Sequence, residues 1–371
     1  MKKLIIVLGV LDVLSVLVCS VLIYCIFPLS DDMDIPKFED ALESASNGNV
    51  EAQIEVGEIY YGGYIVDYAA INEKEYKTWD ERVKVINNAI MESRRKSIKW
   101  FKLAAEQGNA KGQFYLGLLY YKNQVLEQNY PEALRLFTLA AEQGLKDAQY
   151  YVGLMYFKAE GVNQDMQKAL YWFKLAAKQY NVDASSALGS IYYNGDGVEK
   201  NYEEAFWWYL RAADGGDMIA QSKLGVMYSE GIGVEQDYQK AKRYFTFAAE
   251  QDDSVAEYNL GVMYSEGIGV EKNYQQAVEW YTSAASQNHP IAQYNLGIMY
   301  SEGIGIEQDY QKALRWFTFA AKQGHANAQF SLGEMYQYGN GVEVDLNKAK
   351  QYYQASCDGG IDRSCQALSV F

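Results

Sequence analysis

Histidine is nearly absent from this chain of 371 residues: there are two, at positions 289 and 325. The usual proton shuttles and imidazole-rich metal centres have almost nothing to be built from. Proline is scarce as well, at 4 residues, and Lys and Arg total 33 against 48 Asp and Glu. The resulting net charge of −15 excludes non-specific nucleic-acid binding, which rests on cationic contacts to phosphate. There is no phosphate-binding loop and no unique acidic pair, so the residues suggest neither a nucleotide cofactor nor any other. What the chain does have is 49% hydrophobic residues, too many for a disordered polymer, and 33 tyrosines.

The first thirty residues are a separate object. Lys2 and Lys3 precede an apolar run from Leu4 to Leu29, broken by Asp12, Ser15 and Ser20. About 20 residues in helical form cross a bilayer core, whereas a cleaved signal peptide has a shorter apolar core and small residues at its cut site. Cutting near Val18-Cys19-Ser20 would leave Val21 to Leu29 as an apolar terminus, and Val18 and Tyr24 are too large to precede a lipidated Cys19 or Cys25. Residues 1–30 therefore read as an uncleaved transmembrane signal anchor. Its lysines, with Asp31, Asp32 and Asp34 beyond it, direct the N-terminus to the cytoplasm and the body outside. Asp12 reads as a helix-end residue near the interface, and Cys19 and Cys25 as apolar filler.

Beyond residue 48 the chain repeats. LGVMYSEGIGVEQDYQKA from Leu224, LGVMYSEGIGVEKNYQQA from Leu260 and LGIMYSEGIGIEQDYQKA from Leu296 start 36 residues apart. In that register Asn109 to Gly360 holds seven repeats without insertion or deletion. An eighth, Asn49 to Gly108, is stretched to 60 residues by an insert of 24, from about Asp67 to Ile90. Gly57, Gly117, Gly153, Gly189, Gly225, Gly261, Gly297 and Gly333 recur in register, each followed three residues later by Tyr. Since Gly inside a helix costs about 1 kcal/mol against Ala, its recurrence implies a close backbone approach. The expected opposing surface is the Ala pair of a second helix, such as Ala248 and Ala249 or Ala320 and Ala321. A glycine-rich loop such as Glu230 to Val234 then turns the chain, Asp237 or Asp309 caps the second helix, and Gly144, Gly216 or Gly324 ends the unit.

Each repeat is thus an antiparallel helical hairpin that buries its apolar face only by stacking on its neighbours. The fold class is all-α, an α/α superhelical solenoid. Each buried Leu, Met or aromatic side chain contributes roughly 1.5–3 kcal/mol, so the aromatic stripe is packing rather than a cofactor box. Residues 31–48 form a linker and an N-terminal half-repeat, with Phe38–Gly48 as the tail of a second helix. Trp79, Val83, Ile86 and Ile90 at helical spacing predict that the insert lengthens a second helix, as a spacer, a stronger cap or a docking element near the membrane. Residues 361–371 read as a lone capping helix.

The pattern Ala-x-Ala-Gln-Tyr-x-Leu-Gly-x-x-Tyr, then Gly-x-Gly-Val, then Asp-Tyr-x-Lys-Ala-x-x-Trp-Phe-x-x-Ala-Ala-x-x-Gly, resembles the Sel-one-like repeat, a relative of tetratricopeptide repeats. The resemblance runs from about Asn49 to the C-terminus and implies an adaptor or scaffold; bacterial members are often exported and serve in envelope assembly, signalling or host contact. Cys357 stands where earlier repeats carry Ala, and Cys365 follows on the next helix across Gly359-Gly360. The two are either unpaired buried thiols or a disulfide, and the placement suits a disulfide. A loop this short would add at most about 3 kcal/mol, and the bond would persist only in an oxidising compartment. The spacing also resembles the cysteine-rich Helicobacter branch of the family, where such pairs recur.

Chemistry-bearing motifs are few. Ser93-Arg94-Arg95-Lys96 matches the Ser-x-x-Lys of serine β-lactamases, without the partner motifs, and reads as a solvated charged helix face. His289 and His325 read as turn residues, and the loops such as Glu302 to Asp309 lack the alternating oxygen ligands of an EF-hand. Three nearly identical repeats enlarge a surface, whereas a catalytic site is singular. The informative positions form a stripe on the first helices, beside the core. It runs Tyr115, Leu118, Lys122 and Tyr151, Leu154, Lys158 at one end, then Asn259, Val262, Glu266 and Asn295, Ile298, Glu302 at the other. In helical-hairpin solenoids first helices line the inner curve, where peptides dock. The sequence reading is a non-enzymatic scaffold, anchored in the bacterial inner membrane with its repeats in the periplasm. It holds a protein or peptide ligand in a concave groove, with the membrane engaged through the N-terminal helix only. The alternatives are a cell-wall-directed penicillin-binding or β-lactamase-like protein, and a secreted host-contact protein.

Overall fold

The structure, a computed structural model, describes residues 35–63 and 78–369. The expected anchor, residues 1–30, lies outside the described residues, as does most of the linker. Among the described residues no helix is long and apolar enough to cross a membrane. These residues form an all-α solenoid in two compact units, 35–188 and 189–369, with the division inside one helix.

In the first unit the helices are α1 (Ile35–Ser46), α2 (Val50–Tyr61), α3 (Trp79–Glu106), α4 (Ala110–Tyr121), α5 (Tyr130–Glu142), α6 (Lys146–Lys158) and α7 (Met166–Lys178). Helix α8 (Val182–Asn194) holds the division. The second unit continues with α9 (Tyr202–Asp214), α10 (Met218–Glu230), α11 (Tyr238–Ala249), α12 (Ser254–Glu266), α13 (Tyr274–Ser286) and α14 (Pro290–Glu302). It ends with α15 (Tyr310–Lys322), α16 (Ala326–Tyr338), α17 (Leu346–Asp358) and α18 (Asp362–Leu368). Helix α1 precedes the first hairpin and packs Phe38, Leu42 and Ala45 against Ala52, Val56 and Trp100. The insert lengthens a second helix as its spacing predicts: α3 has 28 residues, with Ile86 and Ile90 buried and Trp79 exposed.

The recurring glycine does not face the Ala pair. It faces the aromatic ring of the second helix of its own hairpin: a methyl group on Gly297 would lie 2.6 Å from two carbons of the Phe317 ring. The same ring meets the same glycine in every hairpin, through Phe101, Phe137, Phe173, Tyr209, Phe245, Tyr281 and Tyr353. The Ala pair instead serves the next repeat. The carbonyl of Ala140 accepts from Leu145 N at 3.2 Å and that of Ala141 from Gln149 Nε2 at 3.2 Å, both at or beyond the turn into α6. The sequence expectation put the small residues together. In the fold, the missing side chain of glycine makes room for a large ring, and the alanines admit the neighbouring helix.

Helix ends buried in a stack must find partners for their backbone groups. Asp237 accepts from Gln239 N and Lys240 N, and Asp309 from Lys312 N, as their spacing predicts. His289 and His325 prove to be N-caps as well. Their Nδ1 atoms accept from Ala292 N and Ala328 N at 3.2 Å, while the rings stack 4.8 and 4.7 Å from Tyr258 and Tyr294. Burial pushes both imidazoles below their usual range, which keeps Nδ1 free to accept. From α10 to α16 a loop glycine takes the left-handed conformation where each first helix ends, as at Gly303 with φ 72°, whereas Ala159 does so after α6.

Glutamines tie three successive helices together. Gln293 Nε2 donates to the Ala285 carbonyl of the preceding helix at 3.1 Å, and its Oε1 accepts from Gln323 Nε2 of the following helix at 2.8 Å. Position 257 holds Glu in this role. It is 2% exposed, accepts from Ser283 Oγ and Gln287 Nε2, and its carboxyl is pushed up to about 7 by burial, with Asp252 and Asp253 adding to the effect.

This packing makes three predictions about stability. Gly297→Ala gains about 1 kcal/mol of helix propensity but overpacks the Phe317 contact, at a cost of about 1–3 kcal/mol. Its urea midpoint should fall and recover when Phe317→Leu is added; a higher midpoint for the single variant would show that the ring yields freely. The folded chain retains the Glu257 proton up to pH about 7, whereas an unfolded chain releases it near 4.5, so stability from this group declines as pH rises through that window. The two histidines act with the opposite sign, since folding depresses them, and stability drops as pH falls below their usual 6.5. Glu257→Gln should remove the carboxyl contribution and gain midpoint above pH 7 relative to wild type. An equal gain at pH 5 would show that ionisation is not the cause.

Candidate partner-binding groove

At the N-terminal end of the stripe, the side chains turn inward. Tyr115 stacks on Phe101 with centroids 4.7 Å apart, and Tyr151 on Phe137 at 5.0 Å; both rings are half-buried. Burial raises both phenols, and Tyr115 is raised further by its hydrogen bond to Glu58. Leu118 is 5% exposed inside a core cluster with Phe114, Phe137 and Val152, and so lines no groove. The expectation for Leu118 is corrected on a physical ground: Tyr115, Tyr121 and Tyr151 pack against the same cluster and close over its position. Leu154 is half-buried, while Lys122 and Lys158 stand exposed at the C-terminal ends of α4 and α6, where the helix dipole favours a cation.

At the other end the stripe converges. Glu266, Asn295, Ile298 and Glu302 line one cavity of about 560 Å³ in the unit 189–369. Asn259 is not among them; its Nδ2 is engaged with the Val255 carbonyl at 2.8 Å. The cavity adds residues that sequence reasoning missed. Ser331 and Glu334 are the continuations of the stripe one repeat on, 36 residues after Asn295 and Ile298, and the register was sufficient to find them. Arg363 was not findable this way, because it comes from the short helix α18 that follows the last full hairpin. Its guanidinium lies 4.0 Å above the Phe330 ring and donates to Asn327 Oδ1 at 3.3 Å. Cys357 and Cys365 are joined as a disulfide with Cα atoms 4.9 Å apart, holding α18 against α17.

The motifs with possible chemistry have structural employment. Ser93 is 3% exposed, not on a solvated face, and its hydroxyl donates to the Tyr60 carbonyl at 2.9 Å. Lys96 places its ammonium 5.8 Å from the Tyr60 ring centroid. Asp309 holds its capped backbone amide and the Lys312 ammonium at 3.3 Å, which keeps its carboxyl below the usual range. Among the described residues no group of three His, Cys, Asp or Glu side chains is placed to hold a metal ion.

The family model for the Sel1 repeat matches residues 50–69 and 90–109, the two halves of the interrupted first repeat. It then matches residues 110–145, 146–181, 182–217, 219–253, 254–289, 290–325 and 326–361. Among solved structures, a Sel1 repeat protein from Oxalobacter formigenes is 30% identical, with a TM-score of 0.61 over 89% of each chain. A protective antigen of uropathogenic Escherichia coli, described as displaying an SLR fold, is 27% identical, with a TM-score of 0.58 over 89% of this chain and 81% of that one. No curated protein matches the chain. With the repeat matched along well over half of its length, this chain belongs to the Sel1 repeat family.

Proposed function

We propose that this chain is a non-enzymatic adaptor, tethered to the bacterial inner membrane with its repeats on the periplasmic side, that holds a protein or peptide partner on its first-helix stripe. Sel1 repeat proteins act as protein–protein interaction scaffolds. The observation that carries the reading to a site is the cavity that three consecutive hairpins and the last helix build from stripe residues Glu266, Asn295, Glu302 and Glu334 with Arg363. The core positions repeat while these positions change, which is the arrangement of a surface selected for a partner rather than for folding. Two features support the compartment. The Cys357–Cys365 disulfide is the kind of bond that lasts in an oxidising environment. The apolar run from Leu4 to Leu29, with Lys2 and Lys3 before it, has the length and charge of a signal anchor.

The test is capture of the full-length protein from crosslinked native membranes beside the variant Asn295→Ala/Glu302→Ala. A specific partner should be recovered with the wild type and fall about tenfold with the variant, the equivalent of about 1.4 kcal/mol. Equal recovery of every partner by both proteins would remove the groove from the reading. Intact mass should correspond to a chain that retains the apolar run; a mass beginning after Leu29 would replace the tether with secretion.

A further inference from the structure

Resting on the groove reading above, we infer that the cavity between Glu266 and Arg363 selects a cationic side chain, the lysine or arginine of an extended peptide segment. Three independent features of the site point that way. Helices α12, α14 and α16 contain no Lys or Arg, yet each gives the cavity a glutamate: Glu266, Glu302 and Glu334. Glu266 and Glu302 are also the last residues of their helices, where the backbone dipole adds negative potential to the carboxylates. Both are exposed, so their charges face the solvent-filled groove.

The lining is not acidic alone. Ile298, Met299 and Ile304 contribute an apolar surface beside the carboxylates. Lysine and arginine have this combination in reverse, an aliphatic stem ending in a charged head, and bury the stem while the head seeks an acceptor. A bare metal cation would leave the apolar surface unused.

Ser331 is the third feature. It is 9% exposed, lines the cavity, and its hydroxyl has no hydrogen-bond partner among the described residues. The hydroxyl oxygen is open to the cavity rather than sealed in the core. Facing the cavity, it can accept from an ammonium or guanidinium that enters. Of the described lining residues Arg363 is the one cation, and it is already held over Phe330 and on Asn327. An acidic ligand reaching for it would have to lie beside three carboxylates, so the charge balance rejects that occupant.

The test is selection of a phage-displayed random dodecapeptide library on the full-length protein, followed by affinity measurement with a synthetic peptide from the enriched set. Enriched sequences should carry Lys or Arg beside apolar residues. Binding should weaken about tenfold in Glu266→Gln/Glu302→Gln, and stay within about twofold in Glu271→Gln/Glu307→Gln. The second pair removes the same charge from exposed positions outside the cavity. Equal weakening by both pairs would reduce the effect to bulk charge and overturn the assignment. Enriched peptides without Lys or Arg that Asn295→Ala releases would overturn the cation and leave the groove. A library that yields no enriched sequence would remove both.

Discussion

One contact sets the spacing of every hairpin: a glycine on the first helix lying flat against an aromatic ring on the second. Phe137, Phe173, Tyr209, Phe245 and Phe317 are each 1% exposed or less, so the ring is fully enclosed and has no alternative place to go. A side chain at the glycine would hold the helices apart by the thickness of a methyl group, and the alanines at the far end of the second helix would lose their fit to the next repeat. Packing of this kind is intolerant of small changes in volume. The hairpin geometry and the stacking geometry therefore rest on the same absent Cβ.

Close stacking brings polar backbone ends together, and the chain meets most of them with a local acceptor, though α6 and α18 start without a side-chain cap. Asp, Asn and His serve as interchangeable N-caps across the repeats. They share one property, a short side chain with a lone pair near the helix N-terminus. The glutamine ladder shows the same economy across helices, since one amide both donates backward and accepts forward. Glu257 keeps the accepting half and cannot donate while ionised, and its burial pushes its proton affinity upward.

Period and hairpin were legible in the sequence because both follow from spacing. Asp before the second helix and Gly at its end each have one physical reason, and the structure places them as that reason requires. The partner of the recurring glycine was not legible, because two sets of residues at helical spacing, the rings and the alanine pair, were equally available to oppose it. Choosing between them needs the tilt of the second helix, which spacing does not encode. The stripe was read half correctly for a similar reason. Position 298 and its neighbours are lined up by register, whereas the burial of Leu118 depends on how Tyr115 and Tyr151 rotate over the core. Arg363 entered the cavity from outside the repeat altogether, where periodicity carries no information.

Through the last hairpins the contact joining one to the next is also the same one. Gly269 fits against Tyr238, Gly305 against Tyr274 and Gly341 against Tyr310, each across a repeat boundary. If 36 residues were deleted or duplicated in register, the two surfaces newly brought together would match as well as the old ones did. Nothing in these boundaries lets the chain count its repeats. Within this stretch a hairpin can be gained or lost while the joint keeps the same contact, so a partner surface can be lengthened or shortened one hairpin at a time.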